Sequence, residues 1–201
     1  MDRRLFALAI AIALFEGCGD VIDPVVETED RRIVVVPMKD GVQHYFESER
    51  GIRLARAVTA ELQAARKARG DEVPEVVPIE QLALALGDVD VKDLQPGEIG
   101  RRAKADLVVL GDITLFETRR AGDVGFFRGQ ASVLISIVDT ARPEHPIAAI
   151  EVKASFPPEG YRSWGGLAAT EGGEREIEQG LTLLLAKRIA QLFYPHEPEK
   201  E

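Results

Sequence analysis

Cys18 is the only thiol in this chain of 201 residues, and the residues before it give that thiol a context. Arg3 and Arg4 are followed by an uninterrupted apolar run, Leu5–Phe15, and Gly17 stands directly before the cysteine. An 11-residue run falls short of the ~20 residues that a spanning helix needs. It suits the hydrophobic core of an export signal. A thiol can carry a diacylglycerol, and a small residue in front of it suits a peptidase cutting there. Lipidation is the chemistry expected of Cys18.

The pattern resembles a bacterial lipobox, whose places hold Phe15, Glu16, Gly17 and Cys18, with Leu14 one step early. The other reading is an ordinary signal peptide or an uncleaved anchor, with Cys18 a free thiol. In enterobacterial sorting an aspartate after the cysteine retains a lipoprotein in the inner membrane. Gly19 in that place favours the outer membrane.

Other chemistry is sparse. His44, His145 and His196 are dispersed, without the spacing of a zinc site. Lys39, Asp40 and His44 share the loop after the first strand, where open α/β sheets often bind ligands. That loop lacks a phosphate cradle of glycines and lysine, and no Gly-x-Ser-x-Gly elbow occurs in the chain. Gly172 and Gly173 precede the last expected helix, but Glu171, Glu174 and Glu176 already supply the charge its dipole prefers; Thr170 or a glycine is its expected cap. No enzyme, no metal and no cofactor is expected, although a hydrolase using the Met38–Phe46 loop is a third possibility. With 34 acidic and 25 basic residues the net charge is −9, which disfavours a nucleic-acid partner. Removing residues 1–17 takes two residues of each sign, so the mature chain keeps that charge. One cysteine permits no internal disulfide.

Two segments have the composition of a protein-binding surface, where Trp, Tyr and Arg dominate. One is Tyr161–Leu167 (YRSWGGL), with Tyr161, Arg162 and Trp164 in a glycine-rich loop. The other is Arg119–Arg128 (RRAGDVGFFR), a hairpin with Arg119, Arg120, Phe126 and Phe127, which could touch a partner or lipid headgroups. The competing readings put Trp164 inward over a sheet edge and one phenylalanine in the core.

The elements that must position these residues follow from periodicity. Signal peptide (1–17), lipidated tether (18–30), α/β domain (31–196) and charged tail (197–201) are the expected divisions. Ile33–Val36 reads as a strand buried on both faces. Ser48–Arg69 reads as an amphipathic helix with Ile52, Ala55, Val58, Leu62 and Ala65 inward. A short strand, Val73–Val77, carries Pro74 and belongs at an edge; helices follow near Pro78–Leu86 and Gly97–Ala105. Consecutive strands at 107–118, 128–139 and 146–156 then give way to a helix at Glu174–Tyr194. Right-handed crossovers place the third strand beside the first. The expected fold is a single three-layer-like α/β domain with a mixed five-stranded sheet, order 2-1-3-4-5.

Three segments, Arg32–Met38 (RIVVVPM), Ala103–Thr114 (AKADLVVLGDIT) and Val133–Thr140 (VLISIVDT), resemble the family around the curli secretion lipoprotein CsgG, the TolB amino-terminal domain and the lipoprotein activator of a penicillin-binding protein. The resemblance implies an anticodon-binding-domain-like fold in a bacterial envelope lipoprotein that faces the periplasm. It implies an envelope protein partner, or self-association into a ring of an export apparatus. The Arg119–Phe127 connection is too short for a membrane-crossing strand pair of about 9–11 residues each, so a pore is not expected.

Overall fold

The computed structural model describes residues 21–87, 89, 94–119, 126–157, 167–168 and 171–198. Strands β1 (Arg32–Val35), β2 (Lys39–Asp40), β3 (Glu75–Val77), β4 (Leu107–Glu117), β6 (Gly129–Asp139) and β7 (Ala148–Phe156) form a six-stranded mixed sheet. Its order is β3-β1-β4-β6-β7, the expected 2-1-3-4-5, and β2 pairs beside β4. β1 runs parallel to β3 and β4, whereas β6 is antiparallel to β4 and β7. A second ladder joins β5 (Phe126–Phe127) to β8 (Leu167–Ala168).

The helices are α1 (Glu49–Arg69), α2 (Ile79–Leu86), α3 (Pro96–Ala103) and α4 (Glu171–Ala190). α1 starts where Ser48 accepts the Gly51 N–H on its hydroxyl and stops at Gly70, whose φ of 71° suits a residue without Cβ. Gly172 and Gly173 lie inside α4, which begins three residues before Glu174 and gives way after Ala190 to a 3-10 turn, Gln191–Phe193. Its expected cap, Thr170, lies outside the described residues.

β1 explains the layering. Ile33 and Val35 enter the core beneath α1 and α4, while Val34 and Val36 enter a smaller core with α2 and α3. Burial on both faces is what a run of β-branched residues without alternation requires. β6 and β7 alternate instead. Val133, Ile135, Ile137 and Val152 face α1 and α4, whereas Leu134, Glu151 and Lys153 are exposed on the opposite face. Among the described residues β3 pairs only with β1, as an edge strand following Pro74.

The sheet has two ends. Residues 107, 139 and 148 lie at one, and residues 117, 129 and 156 at the other. β4 has 11 residues, so the ends stand about 35 Å apart at roughly 3.3 Å per residue.

Candidate functional site

Both segments singled out in the sequence reach the same distal end. β5 closes the Arg119–Arg128 hairpin and β8 closes the Tyr161–Leu167 loop, and they pair antiparallel, Phe126 opposite Ala168 and Phe127 opposite Leu167. Arg119 is exposed at the exit of β4. Arg120, Tyr161, Arg162 and Trp164 lie outside the described residues, and of Phe126 and Phe127 the strand is described. The distal end is fixed to α4 from below. Gly129 opens β6 against Ile177, where a Cβ would come within 2.3 Å of the Ile177 Cγ2. Thr118 donates its hydroxyl to Glu174 at 2.8 Å, tying the end of β4 to the same helix.

The loop after β1 holds a different arrangement from an open ligand crevice. β2 occupies the ground beside β4, with Lys39 opposite Asp112 and Asp40 opposite Ile113. Asp40 accepts from Arg50 at 2.7 Å and from Ser48 at 3.3 Å. The Arg50 guanidinium lies 4.5 Å from the Phe116 ring centre, and the Lys39 ammonium 5.0 Å from that of Tyr45. Burial, then the Asp112 charge, pushes the Tyr45 phenol above its ordinary range. His44 is exposed, with its backbone N–H on the Glu47 carboxylate. Among the described residues, no three His, Cys, Asp or Glu side chains group so as to hold a metal.

A groove of about 600 Å³ on the outer side of α1 and α4 escaped sequence reasoning. Arg53, Arg56, Arg175, Glu178 and Leu183 line it, and Leu183 is exposed. Arg53 pairs with Glu178 at 2.5 Å and Arg56 with Glu80 at 3.5 Å. Such exposed pairs contribute at most about 1 kcal/mol each. The available signal was Leu183, a leucine off the α4 stripe.

The proximal end carries the tether. Residues 22–28, read from the sequence as part of a tether, are bound to the domain. Ile22 and His196 exchange backbone hydrogen bonds at 2.9 and 3.1 Å, and the Val25 N–H donates to the Leu192 carbonyl at 2.9 Å. Thr28 is 4% exposed and donates its hydroxyl to the Phe193 carbonyl at 2.9 Å. Thr28→Val should leave that carbonyl without this donor and cost about 1–3 kcal/mol. Urea unfolding measures the loss, and faster hydrogen exchange at the Val25 amide locates it.

Beside the tether is a cleft of about 780 Å³ lined by Pro24, Val26, Arg31, Asp139, Ile147 and Pro195. Asp139, from the VLISIVDT segment, closes the turn after β6. Burial alone would raise its pKa. The Ala141 N–H at 2.8 Å, Arg31 at 3.0 Å and Arg142 more than offset this and hold it below the ordinary aspartate range. A lowered folded-state pKa means stability fully present above the unfolded value and lost as pH falls through the folded one. The wild-type Tm should therefore fall more steeply below the ordinary aspartate range than that of Asp139→Asn. Parallel thermal melts over an acid series check this; identical slopes would remove Asp139 as the cause.

Fold and surfaces together define a class: a mixed α/β domain whose docked amino-terminal segment leaves from one end of the sheet and whose loop pair closes the other. No protein-family model and no curated protein matches the sequence. Among solved structures the chain is similar to the PelC dodecamer from Paraburkholderia phytofirmans, at 14% identity over 88% of this chain and 98% of that one, TM-score 0.46. It is similar to lipoprotein GNA1162 from Neisseria meningitidis, at 13% identity over 80% of this chain and 99% of that one, TM-score 0.48. The LpoB C-terminal domain from Salmonella enterica is similar at 15% identity over 63% of this chain and 84% of that one, TM-score 0.37. At these identities and scores none of them assigns an activity to this chain.

Proposed function

We propose that this chain is a non-enzymatic bacterial envelope lipoprotein that binds and supports another envelope protein. It is anchored through lipid at Cys18 and faces the periplasm, with Gly19 directing it to the outer membrane. The observation that carries the reading is the β5–β8 ladder. It joins two partner-like loops, distant in sequence, at the end of the sheet opposite the one where the chain leaves toward Cys18. A partner site at the distal pole and an anchor at the proximal pole are what an accessory protein projecting from a membrane needs. The hairpin is assigned to the partner rather than to lipid headgroups, because β5 lies a sheet length from the docked Ile22–Thr28 segment.

Within the envelope lipoproteins, the resemblance of the three segments quoted above supports kinship with the CsgG- and TolB-like proteins. Two residues of those segments have demanding positions: Gly111 lies against Met38, and Asp139 caps its turn.

Cys18→Ser tests the anchor. The substituted chain should move from the membrane to the soluble fraction with its Tm unchanged, and continued sedimentation with membranes would end the lipid-anchor reading. Photo-crosslinking in cells from positions 126 and 164 tests the partner. One heterologous adduct from both positions is expected. A ladder of multiples of the chain's own mass would replace the partner reading with ring self-assembly.

A further inference from the structure

We infer that the proximal pole is a lipid-contacting surface, on which the Val21–Val25 segment lies against a bilayer of net-neutral headgroups. The inference rests on the anchoring reading above. It begins from the tether being docked rather than free.

Ile22 is already bonded to His196. Cys18 stands four residues earlier, so it lies within about 14 Å of Ile22 at full extension, taking roughly 3.3–3.6 Å per residue. An uncleaved anchor leads to the same place, because the apolar run ends at Phe15. Whichever form holds the membrane, the slack between hydrocarbon and domain is a few residues. The domain must therefore rest on the membrane or very near it, with the proximal pole downward.

That pole is apolar where it is nearest the anchor. Val21, Ile22 and Val25 are 58%, 46% and 50% exposed, and Ile147 is exposed at the adjoining cleft. β-branched side chains exposed beside a membrane attachment point can be covered by the headgroup–acyl boundary. Charge selects the kind of surface. Asp23, Glu27, Glu29 and Asp30 are exposed on the same segment. Anionic headgroups attract basic segments and repel this one. Neutral phospholipid is the surface that fits. The acidic residues also limit how deep the segment sinks, so contact is shallow and confined to the pole.

The test uses the full lipidated chain in phosphatidylcholine vesicles whose acyl chains carry bromine, a contact quencher of tryptophan. Native Trp164 stands three residues before β8, which pairs with β5 at the distal end, and is chosen as the reporter for that pole. Val25→Trp combined with Trp164→Phe moves the reporter to the proximal pole at a half-exposed position. Flotation of both proteins with the vesicles comes first; failure to float would overturn the anchoring reading itself. With both floating, the inference expects the tryptophan at 25 to lose most of its emission and Trp164 to lose almost none. Loss at neither site would overturn the inference and leave the anchor standing. Equal loss at both would overturn it in favour of a domain lying on its side. Quenching at 25 that appears only when anionic lipid is added would overturn the neutral-headgroup assignment. A circular dichroism melt matching wild type establishes that Val25→Trp is folded.

Discussion

Gly51→Ala is expected to destabilise the domain by about 3 kcal/mol or more, at the upper end of overpacking costs. A Cβ at position 51 would stand 2.0 Å from the Met38 carbonyl oxygen and 2.9 Å from its carbon. Both are backbone atoms, so no rotamer change relieves the clash. Either α1 or the β1–β2 connection must move. Neither moves cheaply. The Gly51 carbonyl accepts the Met38 N–H, and its own N–H donates to the Ser48 hydroxyl that caps α1. Met38 is fully buried, and its side chain fills the space that a Cβ on Gly111 would occupy, with Cγ and Sδ at 2.7 Å. Helix backbone, methionine and strand backbone are thus stacked through two glycines.

Domains of this kind have about 5–15 kcal/mol of stability in total, so the loss should be large in a urea titration with the slope unchanged. Gly41→Ala is the comparison. Its Cβ meets nothing, and only the φ of 59° opposes it, so its cost should be about 1–2 kcal/mol. Equal midpoints for the two variants would refute the close approach at Met38.

Much of this scaffold was legible because its patterns are local. The Ile33–Val36 run specifies a strand with two buried faces before any partner is known. The α1 stripe is spelled by Ala55, Val58 and Leu62, all fully buried, with Arg53, Arg56, Gln63 and Lys67 exposed opposite. Sheet order followed from handedness of the crossovers. What was not legible is short or paired at a distance. β2, β5 and β8 have two residues each, too few to show any period. Their existence depends on ladders to residues as far away as Asp112 from Lys39. The tether is similar. Nothing in GDVIDPVVETED announces that Ile22 will pair with His196 across the whole domain sequence. The two candidate loops could be named by composition, but only the fold brings β5 and β8 together at one end of the sheet and the docked Ile22–Thr28 segment to the other.

Phe193→Ala should have two separable effects, one on the core and one on the docked amino-terminal segment. The ring is fully buried in the 3-10 turn that follows α4, among the largest side chains of the main core. Truncating a buried phenylalanine to alanine costs about 3–5 kcal/mol, from lost transfer free energy and the cavity left behind. Phe193→Leu keeps most of the volume and should cost markedly less. The second effect arises because the backbone of the same residue holds the tether through Thr28, in a turn whose neighbour Leu192 accepts from Val25. Loss of the ring frees the turn to shift and weakens both hydrogen bonds. Hydrogen exchange separates the two. A purely global loss accelerates exchange at buried β6 amides by the factor that the stability change dictates. Undocking accelerates Ile22 and Val25 beyond their own protection, at denaturant levels where β6 is still protected. If Val25 exchange is unchanged in Phe193→Ala while the global midpoint falls, the tether is held by its own ladder to His196 and Leu192 and not by the core. If it rises, core packing and the docking of the Ile22–Thr28 segment are linked through one residue. On the anchoring proposal, loosening the core would then lengthen the span from Cys18 to the first docked residue from about four residues toward ten.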